Sequence, residues 1–203
     1  SYPVLTFACG PTNSMRGAAF LSGLEESIIV DIGGTTSDIG YIKQGFPRQS
    51  AVATDVGGVR TNFRMPDIVS IGLGGGSLVR ENGNKIGPDS VGYLLTEKAK
   101  VFGGDTLTTT DIAVAKYNLD IGDPGLLKGL ENETIDNSKK QITKLLEDAI
   151  DKMKTSAEEV PAIFVGGGTI LNKEKVKGIS KLIIPDNFAV ANAVGAALGQ
   201  VSG

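Results

Sequence analysis

The chain has 203 residues, 40% of them hydrophobic and 21% charged, with a net charge of -3, which fits a globular protein with a buried core and argues against a nucleic-acid partner. It contains no histidine, so Ser-His-Asp or Cys-His catalysis and histidine-ligated metal sites are excluded. Because Cys9 is the one cysteine and no segment has the pattern of a membrane span or a signal peptide, we expect a cytoplasmic protein without disulfides and without a membrane partner.

Apolar runs separated by glycine-rich turns organise the first half of the chain. They predict a strand over residues 4–8, a helix over 13–21, and strands over 28–32, 38–43, 50–55 and 68–73. Turn residues at 44–47 join the strands between 28 and 55 into an antiparallel meander. The turn Asn82-Gly83-Asn84 then predicts a hairpin between short strands at 78–80 and 85–86.

The second half is dominated by an amphipathic helix over residues 137–154, whose apolar positions recur every three or four residues. The remaining predicted elements are an irregular segment over 89–106, a helix over 111–117 capped by Thr110 or Asp111, strands over 161–165 and 182–184, and a closing helix over 188–198 capped by Asp186 or Asn187. This order predicts an α/β fold, a mixed sheet covered by helices. Its glycine turns should gather at the carboxyl ends of neighbouring strands, where such sheets bind ligands.

The segment between the first two core strands carries the strongest chemical signal. It contains two glycines and two threonines, Gly33, Gly34, Thr35 and Thr36. Such a turn leaves backbone N–H groups uncovered, and the hydroxyls add donors, which suits phosphate oxygens. Asp31 and Asp38 bracket the turn, where they could hold a hydrated Mg²⁺ or orient a water. Taken by itself, a plain hairpin with Gly-Gly at the bend explains the pattern equally well.

A second glycine cluster, Gly166, Gly167 and Gly168, follows the predicted strand over residues 161–165. Three glycines allow a flat ring or a sugar to approach the backbone closely, whereas a tight turn, the alternative, needs one glycine more readily than three. The chain has no Gly-Lys-Ser or Gly-Lys-Thr of a P-loop. The run Gly72-Leu-Gly-Gly-Gly-Ser77 lacks the last glycine of the dinucleotide fingerprint and precedes a hairpin, so a Rossmann site is not expected.

The paired loops resemble the actin, heat-shock chaperone and sugar-kinase superfamily of ATPases. Within it, several motifs resemble those of the hydantoinase A/5-oxoprolinase family. They are Cys9-Gly-Pro11, Asp31-Ile-Gly-Gly-Thr-Thr-Ser-Asp38, Asp67-Ile-Val-Ser-Ile-Gly-Leu-Gly-Gly-Gly-Ser77, Ile86-Gly-Pro-Asp-Ser-Val-Gly92, Thr110-Asp111 and Phe164-Val-Gly-Gly-Gly168. The resemblance runs over nearly the whole chain, and the motifs occur in the family's order.

The resemblance implies an RNase H-like fold and an ATP- and Mg²⁺-dependent hydrolase, which opens a cyclic amide or related carbonyl compound after phosphorylation of its carbonyl oxygen. Residues 31–38 match the family's second phosphate hairpin, with phosphate contacts from Gly33, Gly34, Thr35 and Thr36. Asp31 would hold Mg²⁺ through water, and Asp38 would order the hairpin or the attacking water. Residues 166–168 match the adenosine loop.

A third glycine loop, Gly74, Gly75, Gly76 and Ser77, matches a family loop that we expect near the substrate or the γ-phosphate. Its alternative is a structural bulge between two strands. For the whole molecule, the alternative to the enzyme is a non-enzymatic, actin-like or regulatory module that binds nucleotide.

The chain departs from the family pattern in two places. No earlier Asp-x-Gly-Gly-Thr hairpin precedes Asp31, so we expect residues 1–203 to be a single ATPase lobe, a fragment of a longer two-lobed protein that is inactive by itself. After Gly92, residues 93–104 replace the family's Pro-Gly-Pro-Ala-Cys-Tyr-Gly segment, which leaves the substrate open. Since the family often works with a second chain, a subunit of the hydantoinase B type is a candidate partner besides the missing N-terminal lobe.

Overall fold

The structure, a computed structural model, describes residues 9–50, 55–56, 59–60 and 66–198. The predicted strand over residues 4–8, and most of the one over 50–55, lie outside these residues. No helix in the described ranges has the length and apolar character needed to cross a membrane.

The predicted elements within the described ranges appear in the predicted order with shifted boundaries, and a short helix, Leu95–Lys98, lies in the segment predicted to be irregular. The helices are α1 (Cys9–Ser22), α2 (Leu95–Lys98), α3 (Thr109–Tyr117), α4 (Asn132–Met153) and α5 (Ala191–Ala197). The strands are β1 (Ser27–Ile32), β2 (Ser37–Lys43), β3 (Phe46–Pro47), β4 (Asp55–Val56), β5 (Val59–Arg60), β6 (Ile68–Ile71), β7 (Ser77–Arg80), β8 (Lys85–Ser90), β9 (Val160–Val165) and β10 (Ile179–Ile183).

Six of these strands form one mixed sheet in the order β10-β9-β1-β2-β3, with β6 also paired to β2. β1 pairs antiparallel with β2 and parallel with β9, and β9 pairs parallel with β10. Both β3 and β6 run antiparallel to β2. An antiparallel meander continued by two parallel strands is the RNase H-like sheet, so the predicted fold class is confirmed.

Every residue of β1 except Asp31 is buried, because helices cover both faces of this strand. Since side chains alternate along a strand, Ile28, Val30 and Ile32 share one face and belong to the core cluster that includes the apolar stripe of α4. Ile29 lies on the other face and packs in a second cluster with α1 and α5. By the same alternation, Asp31 is on the face of α1.

Three of the differences between predicted and observed elements have a local reason. Helix α3 starts two residues earlier than predicted, because Thr108 is its N-cap and Asp111 is the third residue of a capping box. Helix α4 starts at Asn132, five residues before the predicted start at 137, where the sequence is too polar to show a period. Phe46–Pro47, predicted as part of a turn, is an edge strand paired to β2.

The predicted closing helix is divided. A short 3₁₀ turn, Phe188–Val190, comes first, and α5 follows it. Asn187 precedes the turn with a left-handed φ of 63°, but neither it nor Val190 provides a side-chain cap. The predicted side-chain cap at Asp186 or Asn187 is therefore wrong.

Candidate functional site

The hairpin of β1 and β2 carries the predicted phosphate-binding residues. Asp31 is the cross-strand partner of Asp38, which puts both side chains on the same face of the sheet. The Gly33 N–H donates to the Thr36 carbonyl over 2.9 Å and closes the turn. The turn residues after Gly33 are exposed, whereas both carboxylates are half-buried. Two acids thus stand at the base of an exposed turn.

Helices α1 and α5 set the environment of Asp31. The buried Ser14 hydroxyl of α1 hydrogen-bonds the Asp31 carboxylate. The Asn192 side-chain amide of α5 donates to Ser14 Oγ over 3.1 Å and to the Gly10 carbonyl over 2.9 Å. Burial raises the pKa of Asp31, the Ser14 hydrogen bond opposes this, and the Asp38 charge raises it further. A nearby cation would favour the charged carboxylate and so offset the cost of its burial and the repulsion from Asp38.

The predicted adenosine loop starts beside Asp31, because Val165 of β9 is paired with Asp31 of β1. Gly166 has a φ of +86°, and a Cβ there would overlap Asp31 Oδ1 and the Ile32 carbonyl. A Cβ at Gly168 would lie 2.9 Å from the Gly33 carbonyl oxygen. Gly167 is exposed, and a Cβ there would meet nothing within 4 Å. Packing against β1 therefore accounts for two of the three glycines, and Gly167 leaves an open surface.

The third glycine loop lies under the exposed turn. Residues 74–77 are all buried. The Gly75 N–H donates to the Gly33 carbonyl over 3.0 Å, and the Gly76 N–H donates to the Gly34 carbonyl over 2.7 Å. The structure thus brings the three glycine loops together around residues 33–34. Direct contact of residues 74–77 with a substrate or the γ-phosphate stays a prediction.

Sequence reasoning missed the polar side chains that support these loops. Thr109 Oγ1 donates to the Gly74 and Gly75 carbonyls. The Ser70 hydroxyl donates to Asp38. The Thr110-Asp111 motif could have drawn attention to Thr109, its neighbour. No local signal marks Ser14, because its contact with Asn192 joins positions 178 residues apart.

The family comparison agrees with the motifs. The model of the hydantoinase/oxoprolinase family matches residues 1–202. Among curated proteins, the acetone carboxylase beta subunit of Xanthobacter autotrophicus is 30% identical over 148 residues, which make up 68% of this chain and 20% of that subunit. The chain therefore spans about one fifth of the length of this relative.

Two solved structures share the fold of the chain. Nucleotide-free acetone carboxylase, from work on ATP-dependent acetone carboxylation, has a TM-score of 0.69 at 23% identity and aligns with 95% of this chain and 32% of its own. The ATP-dependent caprolactamase of Pseudomonas jessenii has a TM-score of 0.68 at 20% identity, over 92% of this chain and 32% of its own.

Proposed function

Because the chain belongs to the hydantoinase/oxoprolinase family, we propose that it is the ATP-binding lobe of an enzyme that uses ATP to activate a cyclic amide or a related carbonyl compound. The observation that carries the proposal is the exposed turn of residues 33–36, with Asp31 and Asp38 paired at its base. The two structural relatives support it: one structure comes from work on ATP-dependent acetone carboxylation, and the other is an ATP-dependent caprolactamase. Acetone is a ketone and a caprolactam is a cyclic amide, so both compounds carry a carbonyl group.

The phosphates would lie on the exposed side of the turn. Gly34, Thr35 and Thr36 are exposed there, and their backbone N–H groups and the threonine hydroxyls can donate to phosphate oxygens. The turn is fixed from below by the hydrogen bonds of the Gly33 and Gly34 carbonyls. A turn held in this way needs little reorganisation when an anion binds, which is the main contribution a protein makes to phosphoryl transfer.

The pair of Asp31 and Asp38 fits a hydrated Mg²⁺. The described residues include no group of three or more acidic, cysteine or histidine side chains that could hold a metal. Mg²⁺ suits such a site because it keeps several waters and takes other ligands from phosphate oxygens. When bound, it would neutralise charge that develops on the phosphates. Asp31 would hold the metal through water, and Asp38, fixed by the Ser70 hydroxyl, would order the hairpin or the attacking water.

The adenosine would lie against the loop of residues 166–168. Gly167 offers an exposed backbone without a side chain, and Gly166 brings the loop into direct contact with the Asp31 end of β1. Nucleoside and phosphates would therefore bind to adjacent loops of the same sheet edge.

The complete reaction needs more than this lobe. We propose that transfer of a phosphoryl group to the carbonyl oxygen of the substrate creates a leaving group and a carbon that water can attack. The chain spans 32% of each structural relative, and we expect a second lobe to supply the first phosphate hairpin. A hydantoinase B-type subunit is the partner that we would test first.

The test is ADP release by the full-length protein, with its partner subunits, in the presence of Mg-ATP and a lactam or hydantoin. We expect the cyclic compound to stimulate ADP release. Asp31→Asn should lower the stimulated rate about a hundredfold or more, the loss typical of removing a group that stabilises transition-state charge. Asp148→Asn, which changes an exposed carboxylate paired with Lys144 on α4, is the matched control and should keep the wild-type rate.

Two results would contradict the proposal. Equal ADP release by Asp31→Asn and wild type would show that Asp31 does not hold a metal needed for turnover. Tight nucleotide binding without stimulation by any lactam, hydantoin or ketone would instead favour the regulatory nucleotide-binding module.

A further inference from the structure

We propose that Thr109 and Thr110, the first two residues of α3, are positioning residues that aim the backbone donors of the phosphate turn. They act through the glycine loop of residues 74–76, which lies between α3 and the turn. The inference rests on the proposed function of residues 33–36. It also assigns a role to the Thr110-Asp111 motif, which meets the glycine loop at the Gly75 carbonyl.

The first step of the connection joins α3 to the glycine loop. Both threonines are buried. The Thr109 hydroxyl bonds the Gly74 and Gly75 carbonyls. The Thr110 hydroxyl and backbone N–H both donate to the Gly75 carbonyl, over 2.8 Å and 3.0 Å. The two donors of Thr110 thus converge on the Gly75 carbonyl, and the single Thr109 hydroxyl proton is shared between the Gly74 and Gly75 carbonyls.

The second step joins the glycine loop to the phosphate turn, through the Gly75 and Gly76 N–H groups and the Gly33 and Gly34 carbonyls. In a trans peptide the C=O and the next N–H lie in one plane and point in opposite directions. Fixing the Gly33 carbonyl toward Gly75 therefore directs the Gly34 N–H away from the glycine loop. Fixing the Gly34 carbonyl toward Gly76 directs the Thr35 N–H away from Gly76, while the Thr35 peptide itself packs on Gly74. These are the donors that the proposed function assigns to phosphate.

The start of α3 is itself firmly held. The fully buried Asp111 carboxylate accepts hydrogen bonds from the Val101 and Thr108 N–H groups, each over 2.7 Å, and from the Thr108 hydroxyl over 2.9 Å. A charged acceptor with this many donors fixes the first turn of the helix strongly. The helix start is therefore a rigid base on which the two loops are stacked.

The variant that tests the connection is Thr110→Val, which keeps the shape and the backbone N–H but removes the hydroxyl. We expect the KM for Mg-ATP to rise about tenfold, the effect of losing roughly one hydrogen bond, while the fold is retained. Thr110→Ser restores the hydroxyl and should return the KM to within about twofold of wild type. Thr106→Val is the matched control, because the Thr106 hydroxyl bonds the neighbouring Asp105 instead of the glycine loop.

A merely structural role would lower the melting temperature but leave the KM of the folded enzyme unchanged, and that result would overturn the inference. If Thr110→Val does not fold, Gly75→Ala takes its place, because its Cβ would lie 3.0 Å from Thr110 Oγ1 and press on the same contact. We expect the same rise in KM from Gly75→Ala, and a wild-type KM would overturn the inference.

Amide hydrogen exchange separates this inference from the proposed function. In Thr110→Val, the Gly75 and Gly76 amides should exchange about tenfold faster, with the β9 amides unchanged as an internal control. Unchanged exchange at both glycines would overturn the inference even in an active enzyme. If the wild-type protein does not turn over ATP, the proposed function fails, and the exchange rates still decide whether Thr110 holds the two loops.

Discussion

At Gly166 the backbone leaves β9 with a φ of +86° and a ψ of 160°, and the nearest atoms are those of Asp31 and Ile32. This combination is essentially restricted to glycine, so both the conformation and the contact exclude a side chain. We expect Gly166→Ala to lower the free energy of unfolding by about 2–4 kcal/mol, from backbone strain and overpacking together. Gly167→Ala, where a Cβ meets open space, should change it by less than about 0.5 kcal/mol. Denaturant unfolding of both variants measures the difference, and equal midpoints would contradict the packing described for Gly166.

Asp31 gives a pH-dependent prediction at the same scale. Burial holds its pKa above the ordinary value of 3.8, so the folded protein binds this proton more tightly than the unfolded chain does. The contribution of Asp31 to stability is therefore lost as pH rises from about 3.8 through the folded pKa, and it stays lost at neutral pH. Asp31→Asn removes the charge, and we expect a higher melting temperature than wild type at pH 7.

The difference should shrink as the pH approaches 4, where the wild-type carboxyl takes up its proton. Thermal melts of wild type and Asp31→Asn at both pH values measure it. A variant that melts below wild type at pH 7 would show that burial of this charge does not weaken the fold. Greater stability with lost turnover is the result expected for a charged group kept for function.

At the scale of elements, helices α1 and α5 touch through their backbones. A Cβ at Gly17 would overlap the Ala191 carbonyl, and a Cβ at Gly195 would overlap the Asn13 carbonyl. Backbone atoms cannot move aside as a flexible side chain can. We expect Gly17→Ala to destabilise the protein by about 3 kcal/mol, and to separate Asn192 from Ser14.

Gly10→Ala is the control for this helix pair. It lies in the same helix, and a Cβ there meets nothing within 4 Å. The change should be neutral or stabilising by up to about 1 kcal/mol, since alanine favours a helix over glycine. Denaturant midpoints test both variants, and a neutral Gly17→Ala would show that the two helices can move apart at little cost.

Over the whole molecule, the sequence predicted those features that depend on local pattern. Strands β1, β2 and β9 and the long helix α4 follow from buried apolar runs and a helical period. The predicted start of α3 was wrong because Thr108, Thr110 and Asp111 are all residues that favour a helix N-terminus. The capping box of Thr108 and Asp111, a spacing that is present in the sequence, sets the start, and the distant Gly75 carbonyl and Val101 N–H reinforce it.

In the candidate site, too, local features could be predicted and long-range contacts could not. The glycine loops could be found because glycine clusters after apolar runs are unusual. Their stacking could not be found, since it joins backbone groups of residues 33–34 and 75–76 that belong to separate turns. The contact of Ser14 with Asp31 likewise needs the packing of α1 on the sheet.

The hydrogen bond from Asn192 to the Gly10 carbonyl joins two positions 182 residues apart in the chain. Helices α1 and α5, which lie near the two ends of the described range, are therefore tied together at this point. A displacement of α5 relative to α1 would therefore change the Ser14 contact and, through it, the proton affinity of Asp31.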